Sequence, residues 1–233
     1  MDEYIRHQDR FNPDEFYQQV HVIGCGGMGS RVAEGLARLG VGSNGFSGIN
    51  LYDDDYFDPH NVANQWLDWS DVGSAKAEVV AHNIHRINPR LLVDCRVEAV
   101  TDVSRFKGLL FLCLDSMNAR RQIVDSLTDT SSVTCIIETR MDAGAGISHC
   151  FDPRDPKQLA CWKSHWFSDK EADDMIGCAN PQSIISAIYG TTALALKHFE
   201  QYAFFRTAPD RANRVYQDFD HQFLVTEDWP RLD

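Results

Sequence analysis

A chain of 233 residues with 43% hydrophobic side chains can bury one substantial α/β core, and its formal charge of -12 argues against a broad nucleic-acid surface. No apolar run reaches membrane-spanning length, and the polar start Met1-Asp2-Glu3-Tyr4-Ile5-Arg6 is not a signal peptide, so a cytoplasmic protein is expected. Seven cysteines, scattered with no C-x-x-C pair, fit a reducing compartment and argue against structural zinc.

Residues 20–23 are an apolar strand pattern that runs directly into Gly24-Cys25-Gly26-Gly27-Met28-Gly29-Ser30. Residues 31–39 continue as an amphipathic helix. Strand, G-x-G-x-x-G and helix, in that order, form the dinucleotide-binding fingerprint. Gly24 permits the tight turn, Gly26 lets backbone N–H groups reach a phosphate, and Gly29 lets helix and strand pack closely. The phosphate then meets the positive end of the helix.

Residues 49–53 read as a second strand, closed by Asp53 where a nucleotide fold places its ribose-binding acid. Residues 76–88 read as a helix with one apolar face, stopped by Asn88-Pro89. A third strand is expected over 91–97. The continuous apolar run 109–114 suits a strand buried on both faces. A helix over 117–127 and another buried strand over 133–137 complete a βαβα rhythm. That rhythm predicts a doubly wound, mostly parallel, Rossmann-like α/β sheet.

After Glu138 the pattern changes to an antiparallel C-terminal extension. Residues 146–151 look like an antiparallel edge strand. Residues 152–180 look loop-rich, anchored by Trp162 and Trp166. A long apolar helix is expected over 182–205, with Gly190 at a close packing contact, and a hairpin over 215–225. No repeat or linker divides the chain, so a single domain over 1–233 is expected, with a core at about 18–206 and a tail at 207–233.

Asp53 belongs to a longer string: Asp53-Asp54-Asp55, then Asn61 and Gln65, then Gly73-Ser74-Ala75-Lys76. Any one of these suits a solvated turn or an ordinary helix start. Together with Asp115 they suit a triphosphate, which needs a cation for its phosphates and an acid for magnesium. A hydride-transfer site has no use for that pair.

These ordered segments resemble the MoeB/ThiF family, the adenylating core also found in ubiquitin-activating enzymes. The family carries G-x-G-G-x-G-S, D-x-D, S-N-x-x-R-Q, G-x-x-K and an Asp after the fourth strand. The resemblance runs from about residue 4 to 205, and Arg120 follows Asp115 at the family spacing. It implies adenylation by ATP of a carboxylate, usually the Gly-terminated tail of a small ubiquitin-like or sulfur-carrier protein. Gly24, Gly26, Gly27 and Gly29 would shape the phosphate turn and Asp53 would hold the ribose. Asp55 would join the ribose or metal network, Asn61 and Lys76 would contact phosphates, and Asp115 would bind Mg2+. Gln65 closes the family's third motif.

The family's N-terminal Arg reaches ATP in the neighbouring subunit of a homodimer; Arg6 is the candidate here, then Arg10. Some members pass the acyl group to a cysteine, for which Cys178 is best placed, an unreactive loop cysteine being the alternative. One departure stands out. Asn64 occupies the position where the family has Arg, and losing that cation costs on the order of 2–4 kcal/mol of transition-state stabilisation unless Arg6, Arg10 or Arg120 replaces it. A tRNA-modifying dehydratase of the same fold and a non-catalytic nucleotide-binding partner are the rival readings. The acidic balance counts against the first and Asn64 favours the second.

Overall fold

The computed structural model describes residues 3–142, 144–171, 184–205 and 212–231. Eight strands form one sheet in the order β3-β2-β1-β4-β5-β6-β7-β8. The first half supplies β1 (Gln19–Ile23), β2 (Gly48–Tyr52), β3 (Val93–Arg96), β4 (Lys107–Leu112) and β5 (Ser132–Met141), all parallel to one another. β6 (Ala145–Phe151), β7 (Arg214–Asp218) and β8 (Phe223–Glu227) continue the sheet antiparallel. The helices are α1 (Gly27–Leu39), α2 (Lys76–Ile87), α3 (Met117–Asp125), α4 (Pro156–Ser164) and α5 (Ile185–Phe205). This is the expected Rossmann-like sheet with an antiparallel C-terminal extension.

Strand alternation explains why β4 reads as unbroken apolar sequence. Leu109 and Phe111 join the core under α1, α2 and α5, with Val32, Leu36, Val80, Ile84 and Phe199. Leu110 and Leu112 face the other way, into a core with Ile123, Val124, Phe151 and Trp162. Each face needs its own apolar set, so every residue of the strand is buried from Gly108 onward.

Chain order reverses between β1 and β4, which lie side by side although β2 and β3 intervene in sequence. Parallel sheets open a crevice at that switch point, beyond the strands' carboxyl ends. The glycine turn leaves β1 there, and Asp115 follows β4 there.

Three expectations need correction. The strand over 146–151 is not an edge, because β6 pairs with β5 on one side and β7 on the other; the edge on that side of the sheet is β8. The segment expected to be loop-rich contains α4, started by Asp155, whose carboxylate accepts from the N–H groups of Lys157 and Gln158, with Pro156 at the first position. α1 begins at Gly27, so the last glycines of the turn are already its first turn. Gly190 does mark close packing: a β-carbon there would strike the Phe219 ring. Among the described residues, no helix is long and apolar enough to cross a membrane.

Candidate functional site

The site grows out of the glycine turn. Gly24 has φ +89°, and a β-carbon on it would sit 2.7 Å from the carbonyl oxygen of Cys113 in the neighbouring β4 exit. Only glycine accepts that conformation without strain. Gly29 is tighter still, since a β-carbon would collide with the carbonyl of Gly24. Gly26 is open by contrast: its nearest neighbour would be Gln65 Nε2 at 3.9 Å. The chain therefore closes on itself at Gly24 and Gly29 and leaves room at Gly26, beside the N-terminus of α1.

Asp53 is tied to this turn. One carboxylate oxygen accepts from Cys25 N at 2.6 Å and the other from Asp55 N at 2.9 Å. Burial pushes its carboxyl above the usual range, and these two N–H groups and Lys76 partly offset that. The next acid reaches onward: Lys76 Nζ lies 2.8 Å from Asp55 Oδ2, and Lys76 N donates to Asp55 O at 3.0 Å. A continuous chain thus links the turn, the β2 exit and the start of α2. Asp53, Asp54 and Asp55 also bring carboxylate oxygens within 4.8 Å of one another.

A 3-10 turn, Pro59–Ala63, carries the third segment. Asn61 is buried, and its side-chain oxygen accepts from Asp58 N at 2.9 Å, so that atom caps the turn. Asn64 lies against Gly27, with its carbonyl 3.3 Å from where a β-carbon would be. Among the described residues, the side-chain oxygens of Asn64 and Gln65 are buried without a hydrogen-bond partner.

Asp115 is exposed, and no group among the described residues occupies its carboxylate. The exposed carboxylate of Asp115 and the carboxylates of the 53–55 cluster are hard oxygen donors of the kind that suits Mg2+. Asp115 is framed by two residues that sequence reasoning passed over. Asp169 accepts from Ser116 Oγ at 2.8 Å and from the N–H groups of Met117 and Asn118, covering the start of α3. Glu138, fully buried, holds Arg120 and Arg140. Its nearest sequence signal is a charged residue closing an apolar strand.

Arg120 does not replace the cation missing at Asn64. It is buried, and its guanidinium is committed to Glu138 and to the carbonyls of Leu112, Leu114 and Thr139. Arg6 and Arg10 are exposed in the N-terminal segment, whose Tyr4 packs on Gly40 and whose His7 bonds Leu39 O at 3.2 Å. That is the far end of α1, a 13-residue helix, so the segment sits ~20 Å from the glycine turn of its own chain. Cys178 lies outside the described residues. Cys25 and Cys113 are poor nucleophiles, since burial raises both thiols, Cys113 to about 11.

The ThiF family profile matches residues 15–198. The tRNA threonylcarbamoyladenosine dehydratase of Escherichia coli is 45% identical over 84 residues, which is 36% of this chain and 28% of that enzyme. Mouse ubiquitin-like modifier-activating enzyme 7 is 30% identical over 122 residues, 48% of this chain and 12% of that one. The match therefore spans well under half of each curated relative's length. Among solved structures, E. coli MccB with ATP superposes with a TM-score of 0.75 at 17% identity, covering 99% of this chain and 72% of that one. That likeness is one of fold. With the profile covering most of its length, the chain belongs to the ThiF family.

Proposed function

We propose that this protein activates a carboxylate with ATP, forming an acyl-adenylate and releasing pyrophosphate. The observation that carries the reading is the linked set Cys25 N–Asp53–Asp55–Lys76, which joins a phosphate turn, a ribose acid and a phosphate cation at one switch point. Relatives named as ubiquitin-like modifier-activating enzymes support a ubiquitin-like protein as the source of the carboxylate.

In this reading the backbone N–H groups at Gly26 and the start of α1 bind phosphate oxygens, while Asp53 orients the ribose. Lys76 moves from Asp55 toward the phosphates and balances charge as pyrophosphate leaves. Asp115 and the 53–55 acids would hold Mg2+, which neutralises phosphate charge when bound. The tail carboxylate oxygen attacks the α-phosphorus, and the bond to the bridging oxygen of pyrophosphate breaks. The chain's contribution is placement and charge, with no covalent chemistry of its own. Arg6 would serve the nucleotide of a second copy, since it lies a helix length from its own turn. Cys178 is the proposed acceptor if a thioester follows.

The second reading, a tRNA-modifying dehydratase, is favoured by the 45% identity to the E. coli enzyme. The test is exchange of labelled pyrophosphate into ATP with Mg2+. One arm adds small ubiquitin-like proteins ending in Gly-Gly, and the other adds unmodified tRNA. Exchange with a Gly-Gly protein and none with tRNA is the expected result; the reverse selects the dehydratase.

A further inference from the structure

At the end of β4, just before Asp115, lies a buried charge cluster for which neither nucleotide binding nor core packing accounts. Glu138 has no exposed surface and stands in register with Leu112 of β4. Its Oε1 accepts from Arg120 Nη1 and Arg140 Nε, both at 2.9 Å. Its Oε2 accepts from Arg140 Nη2 and Trp162 Nε1, both at 3.0 Å, and lies 2.8 Å from His149 Nδ1. Burial alone would raise its carboxyl, but the Arg140 and Arg120 guanidiniums outweigh that and keep it ionised.

Both arginines pass the anchorage on. Arg120 donates to Thr139 O at 2.6 Å, Leu112 O at 3.5 Å and Leu114 O, so it grips the β4 exit just before Asp115. Arg140 donates to His165 O at 2.6 Å and so grips the segment that follows α4. That segment returns to α3, where Trp166 Nε1 donates to Met117 O at 2.8 Å and Asp169 accepts from Ser116 Oγ. Leu114 and Ser116 flank Asp115 on either side, and both are held by groups that lead back to one carboxylate.

Well-packed apolar residues would stabilise such a core as well as buried charges do. What charges add is direction: a guanidinium with several fixed acceptors sets a loop to within fractions of an ångström, as a metal-binding carboxylate requires. We infer that Glu138 is the positioning residue for Asp115, acting through Arg120 and, by way of Arg140, through the segment bearing Asp169. The inference rests on the proposed role of Asp115 toward the divalent ion.

Mn2+ with ATP is the probe, read by water-proton relaxation of bound Mn2+, alongside calorimetric titration of ATP in EDTA. Asp115→Asn should weaken Mn2+ binding to the protein–ATP complex tenfold or more. Glu138→Gln should weaken it to a similar extent, and Glu138→Asp by less. ATP affinity in EDTA should stay within twofold in each, because the glycine turn and Asp53 lie outside the cluster. Should Glu138→Gln fail to fold by circular dichroism, Arg120→Lys takes its place. It keeps the charge opposite Glu138 but cannot span three carbonyls. Wild-type Mn2+ affinity in the folded Glu138 or Arg120 variant, with loss in Asp115→Asn, overturns the inference and leaves the role of Asp115 standing. Parallel loss of Mn2+ and metal-free ATP affinity also overturns it, as a merely structural effect. Unchanged Mn2+ affinity in Asp115→Asn overturns the role of Asp115 and the inference with it.

Discussion

Lys76 is nearly buried but pairs with an Asp55 side chain that is 68% exposed, so the pair adds little to stability. Lys76→Ala should leave folding intact and slow pyrophosphate exchange by about a hundredfold, the size of one lost charge contact in a transition state. If Arg6 serves a second copy, Arg6→Ala should fail as well. Mixing the two inactive variants then restores roughly a quarter of wild-type exchange, because half the random dimers carry one intact site of two. No recovery on mixing would remove Arg6 from the site. That the glycine turn, Asp53 and Lys76 come together was legible in the sequence, because each closes or opens an element that local periodicity marks. Arg120 was not. Its partners Glu138 and Thr139 lie on another strand, so spacing alone made it look available for phosphate.

Among the elements, the β1–α1 unit sets the site and tolerates least change. Gly29 lets α1 begin against the carbonyl of Gly24, and any β-carbon forces the two apart. Gly29→Ala should cost about 3 kcal/mol, as overpacking does. It should lower the melting temperature on the order of 10 °C and reduce ATP binding, because the phosphate turn opens with it. A Gly29→Ala protein with wild-type stability would show that the turn is not closed as described. Helix α4 shows what element-level reading overlooks. Its nine residues are too few for a clear apolar period, and the Asp155-Pro156 start is the one strong sign. β6, expected at an edge, carries the polar residues Ser148 and His149. Both are fully buried, Ser148 against His198 and His149 against Glu138, so polar sequence here marks internal partners and not solvent.

Across the whole molecule, these buried histidines dictate a pH dependence. Burial lowers His21, His149 and His198 each to about 4, below the ordinary value of 6.5. Between those limits the unfolded chain holds more protons than the folded one, so stability must rise with pH across the window. Glu138, held well below the carboxylate range, acts in the same direction at lower pH, where stability is lost as it protonates. Unfolding near pH 5 should therefore take up about three protons. Urea midpoints measured at pH 7.5, 6 and 5 should fall steadily, and a flat profile would mean that these rings are hydrated. The parallel half of the sheet was legible because each strand and helix carries its own period. The order of β6, β7 and β8 depends on pairings across the 63-residue separation of Cys150 and Asn213, which no local pattern encodes.

As proposed, this switch point takes a triphosphate and not a nicotinamide dinucleotide. Calorimetric titration of the purified chain with ATP plus Mg2+, and separately with NAD, tests it most directly. ATP should bind at least tenfold tighter than NAD, and that preference should be lost in Lys76→Ala if Lys76, at the start of α2, is the phosphate cation as proposed. NAD binding as tightly as ATP, or an ATP affinity indifferent to Lys76, would contradict it.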